Sequence, residues 1–361
     1  MKLALVTDLH FGARNDNMKV AQFQQKFWND VFFPYIDKHN ISTVVNLGDT
    51  FDRRKFISYT SLKSAKEMLF EPLAKRNIPM HCIVGNHDIT YKNTLEVNSI
   101  NLLLDGYTNI TEYSSTQEVE FDGTKILFVP WICKDNEEHS WQMINETQAQ
   151  VCFGHLELTG FEMYKGMPNY EGQNPRAFEK FDQVFSGHFH HRSSTGSITY
   201  LGTAYEMTWS CYDDAKGFHI YDTDTRELTF IPNPYILFYK LWYDDTTNNI
   251  SFPAGMTYED IESLGIGLFT DAYVKVVIKE KTNPVLFDVM ITAIENAGPI
   301  HLQVVDDHLH LDLEDDNDII DEAEDTITIL DSYIDSLDIK TNKNDLRTLM
   351  HHLYNEALAV E

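Results

Sequence analysis

Histidine, aspartate and asparagine recur in five short clusters along this chain. The clusters are Asp8-x-His10, Gly48-Asp49-x-x-Asp52, Gly85-Asn86-His87-Asp88, Gly154-His155 and Gly187-His188-x-His190. Carboxylate, amide and imidazole groups can together hold two divalent cations, and a pair of cations activates water for phosphoester cleavage. A donor set of nitrogen and oxygen without thiolate suits manganese, iron or zinc. The clusters therefore predict a two-metal hydrolytic site.

No single cluster identifies such a site, because Asp-x-His and Gly-His pairs occur in many proteins for structural reasons. The ordered set of five clusters, each directly after an apolar run, favours one shared functional site over separate structural roles. Glycines stand directly before Asp49, Asn86, His155 and His188 and predict tight turns that direct these side chains inward. The sequence thus predicts one composite site.

The segments before the clusters must position them, and their apolar residues predict buried strands. These strands are expected at 2–7, 43–47, 80–84, 150–153 and 183–186. Helical patterns at 20–39 and 58–76 separate the first three, which is typical of a mostly parallel sheet covered on both faces. In such sheets ligands bind beyond the carboxyl ends of the strands. We therefore expect the five clusters to converge there.

The rest of the chain predicts a second sheet and a second domain. Further strands are expected at 126–129, 199–201, 217–221 and 227–231. Two sheets stacked between helices fit this pattern, so the predicted class is α/β, with a four-layer α/β/β/α sandwich. Pro232-Asn233-Pro234 predicts a boundary, because prolines interrupt strand pairing. Beyond it, strands at 273–278 and 300–305 and a helix at 285–296 predict a small α+β domain.

The chain is strongly acidic, with a net charge of −28, which argues against tight passive binding of nucleic acid through a basic surface. Residues 301–361 carry half of that charge, with 17 acidic and 3 basic residues. The acidic stretch 306–325 predicts a solvated linker. A pair of C-terminal helices follows, with one apolar stripe at helical spacing. The stripe includes Leu346, Leu349, Met350, Leu353 and Tyr354.

The cysteine pattern and the hydropathy indicate a reducing compartment and no membrane segment. The four cysteines form no C-x-x-C pair, and three lie in or beside apolar runs, as buried free thiols do. No stretch approaches the roughly 20 apolar residues of a membrane span. The apolar run after Lys2 is too short for a secretory signal. We expect a cytoplasmic protein.

The five clusters resemble the signature of the calcineurin-like metallophosphoesterases. Within them, the chain is most similar to the nuclease subunit of SbcCD-type ATPase–nuclease complexes, in the version carried by large tailed phages of the T-even kind. Gly48-Asp49-Thr50-Phe51-Asp52 matches this nuclease branch. The resemblance covers the whole chain. It implies a nuclease domain at 1–235, a DNA-binding capping domain at 236–306, and an acidic linker with C-terminal helices at 307–361.

The resemblance implies roles for the cluster residues, carried over motif by motif. Ligands of one metal would be Asp8, His10 and His190; ligands of the other would be Asn86, His155 and His188; Asp49 would bridge both. His87 resembles the catalytic histidine, and we expect Asp88 to orient its ring. Asp52 stands where some family members carry histidine, which leaves it a supporting role. Two divalent ions are implied, with Mn²⁺ preferred over Mg²⁺, Fe²⁺ or Zn²⁺.

The implied function is 3′-to-5′ exonuclease and single-strand endonuclease activity on DNA, in repair, recombination or degradation within a bacterial cytoplasm that hosts the phage. Basic residues near the clusters are candidate DNA contacts, or else parts of solvated loops. They are Arg53, Arg54, Lys55, Lys92 and Arg192.

The implied partners are a second copy of the chain and an SMC-like coiled-coil ATPase, together a heterotetramer. The chain has no G-x-x-x-x-G-K-[ST] motif, so ATP hydrolysis would belong to the partner. The C-terminal apolar stripe is the candidate ATPase contact, or else it packs on its own domain. The candidate dimer segments, 58–76 and 95–104, could equally be ordinary core.

Two other functions remain open on the sequence. The same metals could serve a phosphatase or a cyclic-nucleotide phosphodiesterase. Alternatively, the chain could be a scaffold of the ATPase complex that has lost catalysis. The presence of every expected ligand residue disfavours the scaffold.

Overall fold

The computed structural model describes residues 1–170, 172–246 and 266–306, together with residues 334, 343, 346 and 350. The chain separates into two compact units, Met1–His308 and Leu309–Glu361. In the second unit, Leu346 and Met350 are helical and half-buried, whereas Leu349, Leu353, Tyr354 and the acidic stretch lie outside the described residues. Among the described residues, no helix combines the length and apolarity of a membrane span.

The described strands and helices are as follows. Strands are β1 (Lys2–Val6), β2 (Val44–Asn46), β3 (Met80–Ile83), β4 (Ile110–Tyr113), β5 (Gln117–Phe121), β6 (Thr124–Val129), β7 (Val151–His155), β8 (Glu162–Tyr164), β9 (Met167–Pro168), β10 (Gln183–Gly187), β11 (Ser193–Thr195), β12 (Ile198–Tyr200), β13 (Gly217–Asp222), β14 (Glu227–Pro232), β15 (Phe238–Asp244), β16 (Tyr273–Glu280) and β17 (His301–Asp306). Helices are α1 (Met18–Phe27), α2 (Phe33–His39), α3 (Tyr59–Ala65), α4 (Glu71–Lys75), α5 (Ser99–Leu104), α6 (Glu137–Glu146) and α7 (Pro284–Asn296).

Two helix pairs run as continuous helices with a wide turn inside. The π-helical segment Trp28–Phe32 joins α1 to α2, and Lys66–Phe70 joins α3 to α4. In both cases a proline, Pro34 or Pro72, follows in the first turn of the next helix. Proline has no N–H to donate to the preceding turn, and a wider turn accommodates that loss. The predicted helices at 20–39 and 58–76 are confirmed.

Two six-stranded sheets form the centre of the first unit. Their strand orders are β14-β13-β1-β2-β3-β4 and β11-β12-β10-β7-β6-β5. All strands that precede a cluster pair in parallel within their sheet: β1 with β2, β2 with β3, and β7 with β10. The carboxyl ends of these strands therefore lie at one edge of each sheet. This is the placement that the sequence predicts.

Alternation along the strands divides the core into layers. In β1, Leu3 and Leu5 pack between the two sheets, whereas Ala4 and Val6 face the helices. A third core on the far side of the second sheet contains Ile144 of α6. Helix, sheet, sheet and helix thus form four layers, and the predicted α/β/β/α class is confirmed.

The segment after Pro232-Asn233-Pro234 forms its own three-stranded parallel sheet, in the order β15-β16-β17. Helix α7 connects β16 to β17 and packs on a separate apolar core. The sequence predicts β16, α7 and β17 but not β15. Several contacts join this sheet to the segment after the first cluster. Arg14 lies 4.7 Å over the Tyr273 ring and 5.8 Å over the Phe238 ring, Asn17 donates to Tyr273, and Lys19 pairs with Asp271 at 2.8 Å.

Apolar residues of the candidate dimer segments lie mostly inside the fold. Met68, Leu69, Leu95 and Ile100 are all at most 5% exposed. Their burial favours the interpretation of these positions as core. They are not available as a surface for a second copy.

Candidate metal centre

The five clusters meet in the structure and form two groups of potential ligands. Asp8, His10 and His190 make up one group, and Asp49, His155 and His188 make up the other. Within each group, one ligand atom of each residue lies within 4.8 Å of the others. Residues up to 182 positions apart in the sequence therefore converge.

Asp49 lies between the two groups. Its Oδ2 atom is 3.2 Å from His155 Nε2 and 3.9 Å from His10 Nε2. Asn86 belongs to the second group, since its Oδ1 atom is 2.8 Å from His155 Nε2 and 3.0 Å from His188 Nδ1. In the first group, the Nε2 atoms of His10 and His190 are 3.1 Å apart. One carboxylate thus faces both groups, as a bridging ligand must.

The donor atoms of the second group fit a cation. His155 Nδ1 carries a proton, because it donates to the Leu47 carbonyl at 2.8 Å, so the lone pair of Nε2 faces the oxygens of Asn86 and Asp49. These acceptors repel one another unless a positive species lies among them. Burial lowers the pKa of His155, but the Asp49 carboxylate outweighs burial and raises it to about 9. A cation at this position therefore competes with a proton for Nε2.

The Asn86 amide has two useful orientations. With its oxygen inward, it offers a ligand atom beside His155 and His188. Turned over by 180°, it would donate to both imidazoles and accept from the Arg54 guanidinium at 3.1 Å. The first orientation suits a bound cation and the second suits the site without one. Arg54 is therefore in contact with the metal centre.

The backbone of the ligand loops is strained. Asp8, His10, Asp49 and His188 all have left-handed φ angles, of 50°, 41°, 54° and 87°. Each such residue costs on the order of 1 kcal/mol or more, and such strain persists mainly at functional sites. The ligand residues themselves make the sharp turns, a feature that the sequence does not reveal.

Neighbouring glycines leave room for these turns. A Cβ atom on Gly85 would collide with the Asp49 carboxylate, and one on Gly187 would collide with the Thr7 hydroxyl. Neither glycine has a left-handed φ angle. Their role at these positions is therefore close approach of the loops, and only Gly48, with φ 111°, fits the predicted reason of a tight turn.

His87 is oriented by a group other than the predicted one. Its ring Nδ1 donates to the Asp52 carbonyl oxygen at 2.5 Å, and its backbone N–H donates to Asp49 Oδ1 at 2.8 Å. The expectation that Asp88 orients this ring is wrong. Because Nδ1 is occupied, Nε2 is the atom through which His87 can exchange a proton.

Asp88 instead joins two ligand loops. Its buried carboxylate accepts N–H groups from Asp49, Thr50 and Gly85 at 2.9–3.0 Å, and the Ser99 hydroxyl at 3.1 Å. Burial raises the pKa of Asp88 to about 6. The carboxylate thereby fixes the backbone of Asp49, the residue that faces both ligand groups.

Asp52 lies next to His10 of the first ligand group, on the side away from the other ligands. Its Oδ1 atom lies 3.5 Å from Nδ1 of His10, on the ring edge away from the other ligands. A carboxylate in this position orients a metal-binding imidazole and increases its basicity. The geometry agrees with the supporting role expected from the sequence.

The five basic residues predicted as DNA contacts have different surroundings in the structure. Arg53 lies 3.7 Å from the Asp16 carboxylate and 4.7 Å over the Phe56 ring, and Arg192 lies 4.3 Å over the Phe230 ring. Lys55 and Lys92 are exposed on their loops. Arg54, in contrast to Arg53, contacts the second ligand group through the Asn86 amide.

Trp131 is a residue at the metal centre that the sequence does not predict. Its ring centroid lies 5.0 Å from that of His188 and 6.1 Å from that of His155. It follows β6, whose carboxyl end lies at the same edge as those of β7 and β10. Its position directly beyond a buried strand is the only signal that could have found it.

Comparisons with known proteins found the following similarities. The profile of the family described as calcineurin-like phosphoesterase matches residues 1–192. Over 361 residues the chain is 30% identical to a protein of Enterobacteria phage T4 named Exonuclease subunit 1, with 99% of each chain covered. Two solved structures also resemble it at low TM-score. An archaeal phosphodiesterase is 17% identical, with TM-score 0.32 and coverage of 64% of this chain and 100% of its own. A dimetal phosphatase from Danio rerio is 13% identical, with TM-score 0.38 and coverage of 61% and 91%.

Proposed function

Because the chain belongs to the calcineurin-like phosphoesterase family, we propose that it is a two-metal DNA nuclease. The observation that carries this proposal is the position of Asp49, which faces two separate ligand groups. The T4 protein that shares 30% identity over the full length is named an exonuclease subunit. This name favours a nucleic acid over a phosphate monoester as substrate. The proposed activities are 3′-to-5′ exonuclease and single-strand endonuclease.

Asp8, His10 and His190 would hold one cation, Asn86, His155 and His188 the other, with Asp49 shared. When bound, the cations would neutralise phosphodiester oxygens and lower the pKa of a water molecule. The donor set mixes nitrogen and oxygen and has no thiolate, which suits Mn²⁺, Fe²⁺ or Zn²⁺. Among these we propose Mn²⁺, the ion that the family resemblance implies. The cations also supply positive charge to the cleft of an acidic protein.

Two side chains of this site would act on the scissile phosphate. His87, with Nδ1 fixed on the Asp52 carbonyl, would deliver a proton from Nε2 to the leaving sugar oxygen. Arg54, with its guanidinium at the Asn86 amide, would bind a non-bridging phosphate oxygen. Both groups stabilise negative charge that develops during cleavage.

The test is digestion of end-labelled DNA with Mn²⁺, compared with the same reaction in EDTA. We expect release of 5′-mononucleotides with Mn²⁺ and no release in EDTA. His87→Ala should lose at least 100-fold in rate, the scale of general acid catalysis, and should still bind two Mn²⁺ ions. Cleavage of bis-p-nitrophenyl phosphate without any cleavage of DNA would show a different phosphoesterase.

Arg54 has a matched control in its neighbour. Arg54→Ala should lower kcat, whereas Arg53→Ala should lower the stability of the segment around Asp16 with little effect on kcat. Equal losses of kcat in both variants would refute the special position of Arg54. The protein should be assayed at one fixed salt concentration, because phosphate contacts are salt-dependent.

We also propose the domain division and the partners. In this scheme residues 1–235 cleave DNA, 236–306 cap the cleft, and 307–361 bind an SMC-like ATPase. The word subunit in the relative's name supports an assembly. Co-purification of the full chain with such an ATPase, compared with a chain ending at residue 308, tests the scheme. Mass measurement of the complex tests whether two copies are present.

A further inference from the structure

The indole of Trp131 stands at the second ligand group with part of its surface exposed. Its centroid is 5.0 Å from that of His188, at an interplanar angle of 48°. The ring also packs on a small apolar cluster that contains Val84, Ile89 and Leu95. An apolar ring that meets both a polar centre and solvent has a face available to a ligand.

Trp131 is held rigidly. Its backbone N–H donates to the Val84 carbonyl at 2.9 Å, and its carbonyl accepts from the Asn136 amide at 3.0 Å. Pro130 directly precedes it and fixes the backbone on that side. A preorganised aromatic ring loses little entropy when a ligand stacks on it.

The neighbouring ligand His188 has contacts of its own that position it. Its backbone N–H donates to both carboxylate oxygens of Asp8 at 3.0 and 3.1 Å, and its ring meets Asn86. His155 is fixed by the Leu47 carbonyl. The placement of these imidazoles is therefore accounted for by other groups.

The charge of the protein gives a reason for an aromatic contact. A net charge of −28 leaves little long-range attraction for a polyanion. Stacking of a base on an aromatic ring is independent of charge and of base identity. An acidic nuclease gains more from such a contact than a basic one.

We propose that Trp131 is a stacking platform for the base of a nucleotide next to the cleaved bond. This inference rests on the proposed nuclease function and specifies its substrate. Inside a duplex, neighbouring bases cover both faces of a base, which can stack on Trp131 only after it has left the duplex stack. The preferred substrate is therefore a single strand or a frayed end, and intact duplex must first be opened at the cut.

The test removes the Trp131 side chain and the substrate base separately and together. Wild type, Trp131→Ala and Trp131→Phe are assayed with Mn²⁺ on short single strands. One strand is normal, and others carry one abasic residue at the terminal or the penultimate nucleotide. On the normal strand, Trp131→Ala should lose about 10- to 100-fold in kcat/KM, the scale of one stacked base, while Trp131→Phe retains most activity.

The decisive result is whether the loss from removing the side chain and the loss from removing the base are additive. At one of the two abasic positions, wild type should lose a similar factor, and Trp131→Ala should show no further loss. Calorimetry should find two Mn²⁺ ions bound by Trp131→Ala, which separates stacking from damage to the ligands. Equal losses in Trp131→Ala on normal and abasic strands, or no loss at all, would overturn the inference alone. A wild-type protein that cleaves no strand would overturn the proposed function as well.

Discussion

Replacement of Asp88 by asparagine tests the hydrogen bonds through which this carboxylate connects the two ligand loops. In the wild type, Oδ2 accepts the N–H groups of Asp49 and Gly85, and Oδ1 accepts Thr50 N–H and the Ser99 hydroxyl. The asparagine amide keeps one acceptor oxygen and turns an NH₂ group toward two of these donors. Two of these donors then lack an acceptor, either the Asp49 and Gly85 N–H groups or the Thr50 N–H and the Ser99 hydroxyl.

The structure sets the size of the effect. Each buried donor that loses its acceptor costs about 1–3 kcal/mol, so Asp88→Asn should destabilise the protein by roughly 4 kcal/mol. This corresponds to a decrease in Tm of about 6 °C for a unit of the size of Met1–His308. Because Asp49 is displaced with the loop, Mn²⁺ affinity should fall about 10- to 100-fold, as for other groups that support metal ligands.

The assay is thermal unfolding in EDTA at pH 8, followed by calorimetric titration with Mn²⁺. At pH 8 the Asp88 carboxyl, whose pKa burial raises to about 6, is ionised. Asp122→Asn is the control, since Asp122 is exposed in a turn with φ 50°, where asparagine fits equally well. If Asp88→Asn matched this control in both Tm and Mn²⁺ affinity, the assigned role of Asp88 would be refuted.

Three further changes have defined outcomes. Burial raises the pKa of Glu206 to about 7, so the folded state holds a proton that the unfolded state releases, and stability falls as pH rises from about 4.5 to 7. The loss is on the order of 3 kcal/mol. Glu206→Gln should remove most of this difference when urea unfolding is compared at pH 5 and pH 8. Gly187→Ala should weaken Mn²⁺ binding in calorimetry, because its Cβ collides with Thr7. Gly106→Ala serves as the control, since its Cβ meets open space and its φ angle, like that of Gly187, is not left-handed. Arg14→Ala should increase amide exchange of β16 near Tyr273, since the cation–π contact between them is lost; unchanged exchange would exclude that contact as a support of the smaller sheet.

Much of the fold follows from the sequence because its signals are local. Apolar runs before Asp8 and Asp49 predict β1 and β2, and Pro232-Asn233-Pro234 marks the start of the smaller sheet. The sequence does not predict strand β15, although its residues are as apolar as those of β16. It lies directly after the proline boundary, where the pattern has no independent helix or turn signal to frame it.

The candidate ligands follow from the sequence for a related reason. Each ligand cluster lies at or just beyond the carboxyl end of a strand, and parallel strands of one sheet bring these ends to the same edge. The types of residue then define the chemistry. Their assignment to two cations remains a prediction, supported by the two groups in which the structure places them.

The contacts made around the candidate ligands can be identified only from the tertiary structure. Asp88 joins loops through backbone N–H groups, Arg54 rather than Arg53 reaches Asn86, and Trp131 stands beside His188. A sequence pattern reports which side of a strand or helix is buried. It does not report the loop dihedral angles that set distances of a few ångström between residues a hundred positions apart. Those angles, several of them left-handed, result from packing of the whole fold.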